Sequence, residues 1–323
     1  MTTYASCMRQ DNQHVYTTDL ARNNPAVLAT LLKDQTLSMV KGRLTCISWA
    51  TDDYAKHVAT PDDGRFAHNA EILPELVSGK FRDVIMPRVM KHEHWQTSRQ
   101  KERAEVFTPA WICNAQNNLI DERWFGRKDV FNVEMMDADG RHSWNSTKEP
   151  VAFPEGKTWM AYVRARRMEI TCGEAPYLVS RYDTTTGQRI DIGERIGLLD
   201  RKFRIIRENT PKEPTKANKH KWLRRAYQAL QSVYGFDWQG DNVFLTRESI
   251  LHSFCDYYVE RWHKMPHIEA IMKAAEIISW NIWQMDGTNF KVPNTDTDSL
   301  IMEWHGSEPL NGKRLAYGEL VGR

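Results

Sequence analysis

Beyond Ala104 the chain alternates short apolar runs with longer amphipathic ones, and this alternation constrains its fold more than any other feature. VFTPAWICNAQNNLIDERWF reads as a loop entering a helix, with Thr108 as N-cap and Pro109 at the first helical position, where a missing N–H costs nothing. A helix is expected over residues 158–167. RMEITC then reads as a strand closed by a glycine-containing turn, and PYLVSRY as the start of the next helix. Residues 209–221 read as a charged, proline-containing loop. WLRRAYQALQSVYG reads as a helix ended by Gly235 at C′. FLTRESILHSFCDYYVERW and IEAIMKAAEIISWNIWQM follow as two further helices, the second ended by Asp286-Gly287. Strands alternating with helices imply an α/β fold with a mostly parallel sheet and helices on both sides. Before Ala104 the pattern is mixed, with a helix over 25–33, a strand over 43–49 and a turn signal at Asp62-Asp63-Gly64. The 323 residues therefore divide into an N-terminal mixed α/β extension, 1–103, and a larger α/β domain, 104–323.

Composition narrows the setting. No window holds the roughly 18 uninterrupted apolar residues a membrane helix needs, and the first residues carry no basic segment followed by an apolar one. No membrane association and no secretion signal are therefore expected. Cys7, Cys46, Cys113, Cys172 and Cys255 are odd in number and form no C-x-x-C pair, which fits reduced thiols in the cytoplasm. A net charge of +2 means that any nucleic-acid surface must come from local clustering of basic residues. The 12 tryptophans are read chiefly as packing residues, with base stacking the minority use.

The segment from Glu169 to Leu178, EITCGEAPYL, carries the sharpest chemical signal. An acid closes a strand, a tight turn of small residues follows, and ligands of α/β proteins bind at such carboxyl ends of strands. This segment resembles motif I of the N6-adenine DNA methyltransferases, (D/E)-P-A-C-G-x-G-x-F-L. Glu169, Cys172, Gly173, Tyr177 and Leu178 occupy matching positions, while Thr171 replaces Ala, Ile170 replaces Pro and Ala175 replaces the second Gly. Upstream, Val106-Phe107-Thr108-Pro109 resembles the F-T-P of motif X. Downstream, YGFDWQGDN and the helix carrying Arg247-Glu248 resemble motif II. The resemblance covers roughly residues 104–260. It implies a Rossmann-like methyltransferase fold with S-adenosylmethionine as cofactor. The cofactor would lie over Cys172, Gly173 and Glu174, with Asp237 at the ribose hydroxyls and Phe107 and Thr108 near the methionine end. It further implies double-stranded DNA as substrate, in a restriction-modification context.

The family's catalytic (N/D/S)-P-P-(Y/F/W) does not occur in the sequence. That motif grips a flipped base through a polar side chain, a carbonyl and a stacking ring. Its nearest analogue is Asn281-Ile282-Trp283-Gln284, which makes Asn281 and Trp283 the candidate catalytic pair, although they fall in a stretch that reads as helix. SLIMEW, residues 299–304, resembles the strand that precedes the motif in larger relatives. On that reading the chain keeps the cofactor half, and a second subunit or second copy completes the centre. The alternative is a non-catalytic DNA-binding or regulatory subunit of a restriction or anti-restriction system.

Basic residues that would contact DNA are Arg99, Lys101 and Arg103 before motif X, and Lys219, Lys221, Arg224 and Arg225 after motif I. Arg82, Arg88 and Lys91 belong to the same basic stretch as the first group, and the N-terminal region is expected to cap the domain or face DNA. No metal site is expected: His263 and His267 are separated by Pro266 and have no evident third ligand. Asp256 and Glu260 share a helical face without a second motif beside them.

Overall fold

The computed structural model describes residues 20–57, 64–91, 96, 108–305 and 310–322. Phe107, Arg99, Lys101, Arg103 and the turn signal at Asp62-Asp63 lie outside them. The chain enters through three helices, α1 (Pro25–Leu32), α2 (Gln35–Lys41) and α3 (Asp53–His57). Asn24 caps α1 by accepting from the amides of Ala26 and Val27, with Pro25 at the first turn, and Asp34 caps α2 through Leu37 N. Residues 43–49 form no regular strand. They run extended, held by isolated bridges from Lys33 to Cys46 and from Ser48 to Glu71.

The next elements are α4 (Ala110–Phe125), β1 (Asn132–Met136), β2 (His142–Ser146), α5 (Trp159–Arg164) and β3 (Arg167–Ile170). The N-cap of α4 is Pro109, one residue later than expected. Thr158 caps α5 through Ala161 N, and the helix stops early enough for β3 to begin at Arg167. Then come α6 (Leu198–Glu208), α7 (Lys216–Leu230), β4 (Val233–Asp237), α8 (Gly240–Trp262), α9 (Ile268–Asn281) and β5 (Ile282–Gln284), followed by β6 (Leu300–Trp304), β7 (Gly312–Ala316) and α10 (Tyr317–Leu320).

This is a mixed α/β architecture with several small sheets instead of the single large one expected. β3, β4 and β5 form a three-stranded parallel sheet in that order, while β1–β2 and β6–β7 are separate antiparallel hairpins. Helical crossovers connect the parallel strands, as their geometry demands. Register sets Glu169 opposite Gly235, and Asp237 opposite Gln284. Gly235 is thus the middle of β4 and not a helix terminus. A Cβ there would meet Cys172 Cβ at 3.3 Å and Ile282 Cδ1 at 3.2 Å, so side chains from the loop after β3 and from β5 fill its place.

The two faces of the sheet pack differently. Val233 and Ile282 join the main hydrophobic core with α1, α6, α7, α8 and α9. Tyr234, Phe236 and Trp283 face a smaller aromatic cluster closed by Ile301 and Tyr317, so a hairpin and short helix cover the face where further helices were expected. Residues 21–85 contribute to the main core alongside α8 and α9. No helix of the described residues is long and apolar enough to cross a membrane.

The central helix α8 is buried along nearly its whole length although much of it is polar. Its buried carboxylates are matched by cations. Glu248 accepts from Arg22 Nε and Nη2 at 2.9 and 2.7 Å. Asp256 accepts from Arg181 and Arg195 at 3.0 and 2.8 Å. Burial alone would raise the carboxyl of Asp256, but those two guanidiniums hold it well below the usual carboxylate range. Arg207 pairs with Glu260 at 3.0 Å. The carboxylates read as one helical face are therefore ion-paired to the fold.

Candidate functional site at the carboxyl edge of the parallel sheet

β3 and β4 deliver two carboxylates to the same edge: Glu169 is the penultimate residue of β3 and Asp237 the last residue of β4. The loop between them and the rest of the chain is conformationally unusual. Thr171, Gly173 and Ala175 alternate in the left-handed region, at φ 48°, 53° and 57°. Such a conformation is costly for a β-branched residue and for alanine.

Gly173 is held at both ends: its N–H donates to Asp237 Oδ2 at 2.9 Å, and its carbonyl accepts from Thr246 Oγ1 at 2.7 Å. Asp237 Oδ1 accepts from Gln239 N at 2.9 Å and Asn242 Nδ2 at 3.4 Å. Burial pushes Asp237 up to about 6. The amides of Gln239 and Gly173 oppose the rise, and neighbouring Asp241 adds to it. Glu169 accepts from the amides of Tyr177 and Leu178 at 3.5 and 3.2 Å. Burial raises its carboxyl to about 8 against those two donors, with Asp237 adding repulsion. Cys172 is buried and its thiol is pushed well above the usual range, chiefly by burial, which disfavours the thiolate.

The helix expected from Pro176 is absent. Glu169 takes the amides that would have opened it, and the chain instead turns back through an isolated bridge between Tyr182 and Arg189. Asp183 in that turn accepts from Thr185, Thr186 and Ala110 amides, tying the turn to the start of α4. Thr108 is drawn in there too, since its carbonyl accepts from Thr184 Oγ1 at 3.3 Å.

Two earlier segments lie over this edge. Gln284 at the end of β5 exchanges hydrogen bonds with the backbone of Ser48, at 2.9 Å each. Glu174, 3% exposed, accepts from Arg88 N at 2.7 Å and from the Tyr182 hydroxyl. Lys91 Nζ meets Asp241 at 3.3 Å, and Asp241 also accepts from Tyr54 at 2.7 Å. Lys91, expected at the surface as part of the basic stretch, is thus buried in an ion pair. No pattern in the sequence announces these partners.

Asn281 and Trp283 are not at this edge's surface. Asn281 is 1% exposed and donates to the carbonyls of Leu230 and Val233 at 2.9 Å each, while its oxygen accepts from Trp304 Nε1 at 2.7 Å. Trp283 is a strand residue packed in the aromatic cluster. Lys219 and Lys221 lie on α7 and not in a loop, because Thr215 caps that helix through Asn218 N and so starts it at Lys216, and Arg224 and Arg225 lie on the same helix, as expected.

Scans against protein-family models, curated proteins and solved structures find no match to this chain. The fold and site define a mixed α/β protein whose small parallel sheet carries two buried carboxylates and a left-handed loop at its carboxyl edge.

Ala175 occupies a left-handed position that glycine would fill without strain. Ala175→Gly is expected to stabilise the fold, by about 1 kcal/mol at most, because relief of the left-handed penalty outweighs the extra unfolded-state entropy. Urea unfolding checks this, and a destabilised variant would mean that the methyl group's packing outweighs the strain.

Proposed function

We propose that the carboxyl edge of the parallel sheet binds S-adenosylmethionine, in a protein of the DNA N6-adenine methyltransferase type. The observation that carries this reading is the placement of Asp237 and Gly173 on adjoining strand ends, joined by one hydrogen bond. A carboxylate offers about four acceptor positions, and three on Asp237 are occupied. The remaining one suits a ribose hydroxyl. The loop from Thr171 to Ala175 lies against the ligand, and Thr108 holds the methionine end.

Calorimetry on the full chain should show binding of S-adenosylmethionine. Asp237→Asn should weaken it about tenfold or more, the loss expected for a hydrogen bond to a charged group. Absence of binding by the folded wild-type chain, or equal affinity in a folded variant, would remove the reading.

The commitments of Asn281 favour a non-catalytic or incomplete member of that type. Both its amide hydrogens and its oxygen are engaged within the fold, which leaves nothing to grip a base. Methyl transfer then requires a base-binding half from another subunit or a second copy, with double-stranded DNA as the shared partner and Lys219 and Lys221 as its contacts on α7. A tritiated-methyl assay on unmodified DNA should show no transfer by the chain alone. Transfer by the isolated chain would overturn this second reading.

A further inference from the structure

A second concave site lies at the opposite end of β4, and nothing in the cofactor reading uses it. Ser232 and Asp237 are separated by about 16 Å along the strand direction, at roughly 3.3 Å per residue. Around Ser232 an open cavity of about 470 Å³ is lined by Arg164, Arg166, Arg224, Gln228, Tyr234 and Trp304. Arg164 ends α5, Arg166 immediately precedes β3, and Arg224 and Gln228 lie on successive turns of α7.

The charges are unbalanced. Arg166 pairs with Glu303 at 2.8 Å. Among the described residues no carboxylate pairs with Arg164, Arg224 or Arg225. Arg225 stands behind the wall, with Trp159 under its guanidinium, and donates to Gln228 Oε1 at 3.0 Å. Arg164 and Arg224 are close enough to add to the burial that lowers its proton affinity. Like charges gathered in a hollow repel one another, and an anion relieves the repulsion.

Gln228 points to the same chemistry independently. It is 3% exposed, and with its oxygen taken by Arg225 its Nε2 is buried without a partner among the described residues. A buried amide donor left unsatisfied is costly unless something accepts from it. The other polar atoms of the wall are already engaged: the Tyr234 hydroxyl donates to Met302 O, and Trp304 Nε1 to Asn281. What the cavity offers a ligand is guanidinium and amide donors and aromatic carbon. Inorganic phosphate alone would leave most of the volume empty, while cavities of roughly 300–1,000 Å³ suit small organic molecules.

We propose that this cavity binds an organic phosphate monoester of mononucleotide size, its phosphate on Arg164, Arg224 and Gln228 Nε2 and its ring against Trp304. The site is distinct from the proposed cofactor site and stands whether or not S-adenosylmethionine binds. Calorimetry on the full chain with AMP, phenyl phosphate, phenol, inorganic phosphate and a short DNA duplex tests it. Both esters should bind, each at least tenfold tighter than phenol and tighter than inorganic phosphate, and saturating S-adenosylmethionine should not displace phenyl phosphate.

Arg164→Gln and Arg224→Gln should each weaken ester binding about tenfold, as for lost charge-assisted hydrogen bonds, without shifting thermal unfolding, since both side chains are exposed. Gln228→Glu keeps the acceptor for Arg225 and turns the donor into a negative charge, so it should abolish ester binding. Esters that bind no better than phenol or inorganic phosphate, or folded variants that bind like wild type, would overturn the proposal. So would a duplex that needs Arg164 and Arg224 while the esters fail to bind, which would make the hollow a nucleic-acid contact.

Discussion

Replacing Arg247 by alanine should cost about 4 kcal/mol or more of folding stability. Arg247 is 1% exposed within α8, and among the described residues no carboxylate pairs with it. Its guanidinium donates instead to four carbonyls: Ile282 at 2.8 Å, Leu31 at 2.7 Å, Lys33 at 2.9 Å and Ser279 at 3.0 Å. These carbonyls lie at the end of α1, the last turn of α9 and the start of β5, so one side chain joins three elements to α8. Burial lowers its pKa to about 10, partly offset by Asp34 and Glu276, and it remains charged at neutral pH. Alanine would leave four buried acceptors without donors, at about 1–3 kcal/mol each before relaxation, and add a cavity. Arg247→Lys should rescue little, because one ammonium cannot span carbonyls on three elements. Far-UV circular dichroism against urea reads both variants. A loss under about 2 kcal/mol in the alanine variant would show that water or rearranged backbone satisfies those carbonyls.

That arrangement also marks the limit of what the sequence discloses. A polar, nearly buried helix over Gly240–Trp262 is legible as a helix, because its breakers lie outside it: Gly240 opens it and Pro266 follows it. Its burial is not legible, because the charges that permit it come from far away. Arg22 lies 226 residues from Glu248, and Lys91 lies 150 residues from Asp241. Pairing over such separations leaves no periodicity to read.

The strand-end carboxylates Glu169 and Asp237 were readable because each closes a β-rich run before a turn. The absent helix after Pro176 was not, since its fate depended on Glu169 capturing the amides of Tyr177 and Leu178. β5 failed for another reason. Its three residues, Ile282–Gln284, continue the apolar helical pattern of α9, and only pairing with β4 separates them from it. Asn281 sits at that junction, so its role as a clamp on the α7–β4 turn was hidden while the stretch read as one helix.

Glu169 should impose a measurable pH dependence on stability. Its carboxyl rises from an ordinary value of 4.5 to about 8 in the fold, chiefly through burial. Between those values the native chain keeps a proton that the unfolded chain releases, so stability is lost as pH rises through this interval. The loss approaches about 1.4 kcal/mol per pH unit and ceases once pH exceeds the native value. Asp237 and Asp34, each raised to about 6 by burial, act in the same direction at lower pH. Buried His252, lowered from 6.5 to about 3, acts oppositely below pH 6.5, because the unfolded chain takes up a proton that the native imidazole refuses. The interval from 6.5 to 8 therefore isolates Glu169 from all three.

Lys202, buried and lowered in pKa, adds stability with rising pH wherever the native amine is neutral. It contributes equally to wild type and to a Glu169 variant, so it cancels in their difference. Glu169→Gln keeps the shape and cannot ionise. Relative to wild type it should gain stability by up to about 1.4 kcal/mol for each pH unit between 6.5 and 8, whatever its offset at pH 6.5. Urea midpoints measured at several pH values give the difference directly. A difference that stays constant across the interval would mean that Glu169 is already ionised in the fold. Its carboxylate would then face the loop amides as a full negative charge, and the electrostatics of the proposed cofactor edge would have to be redrawn.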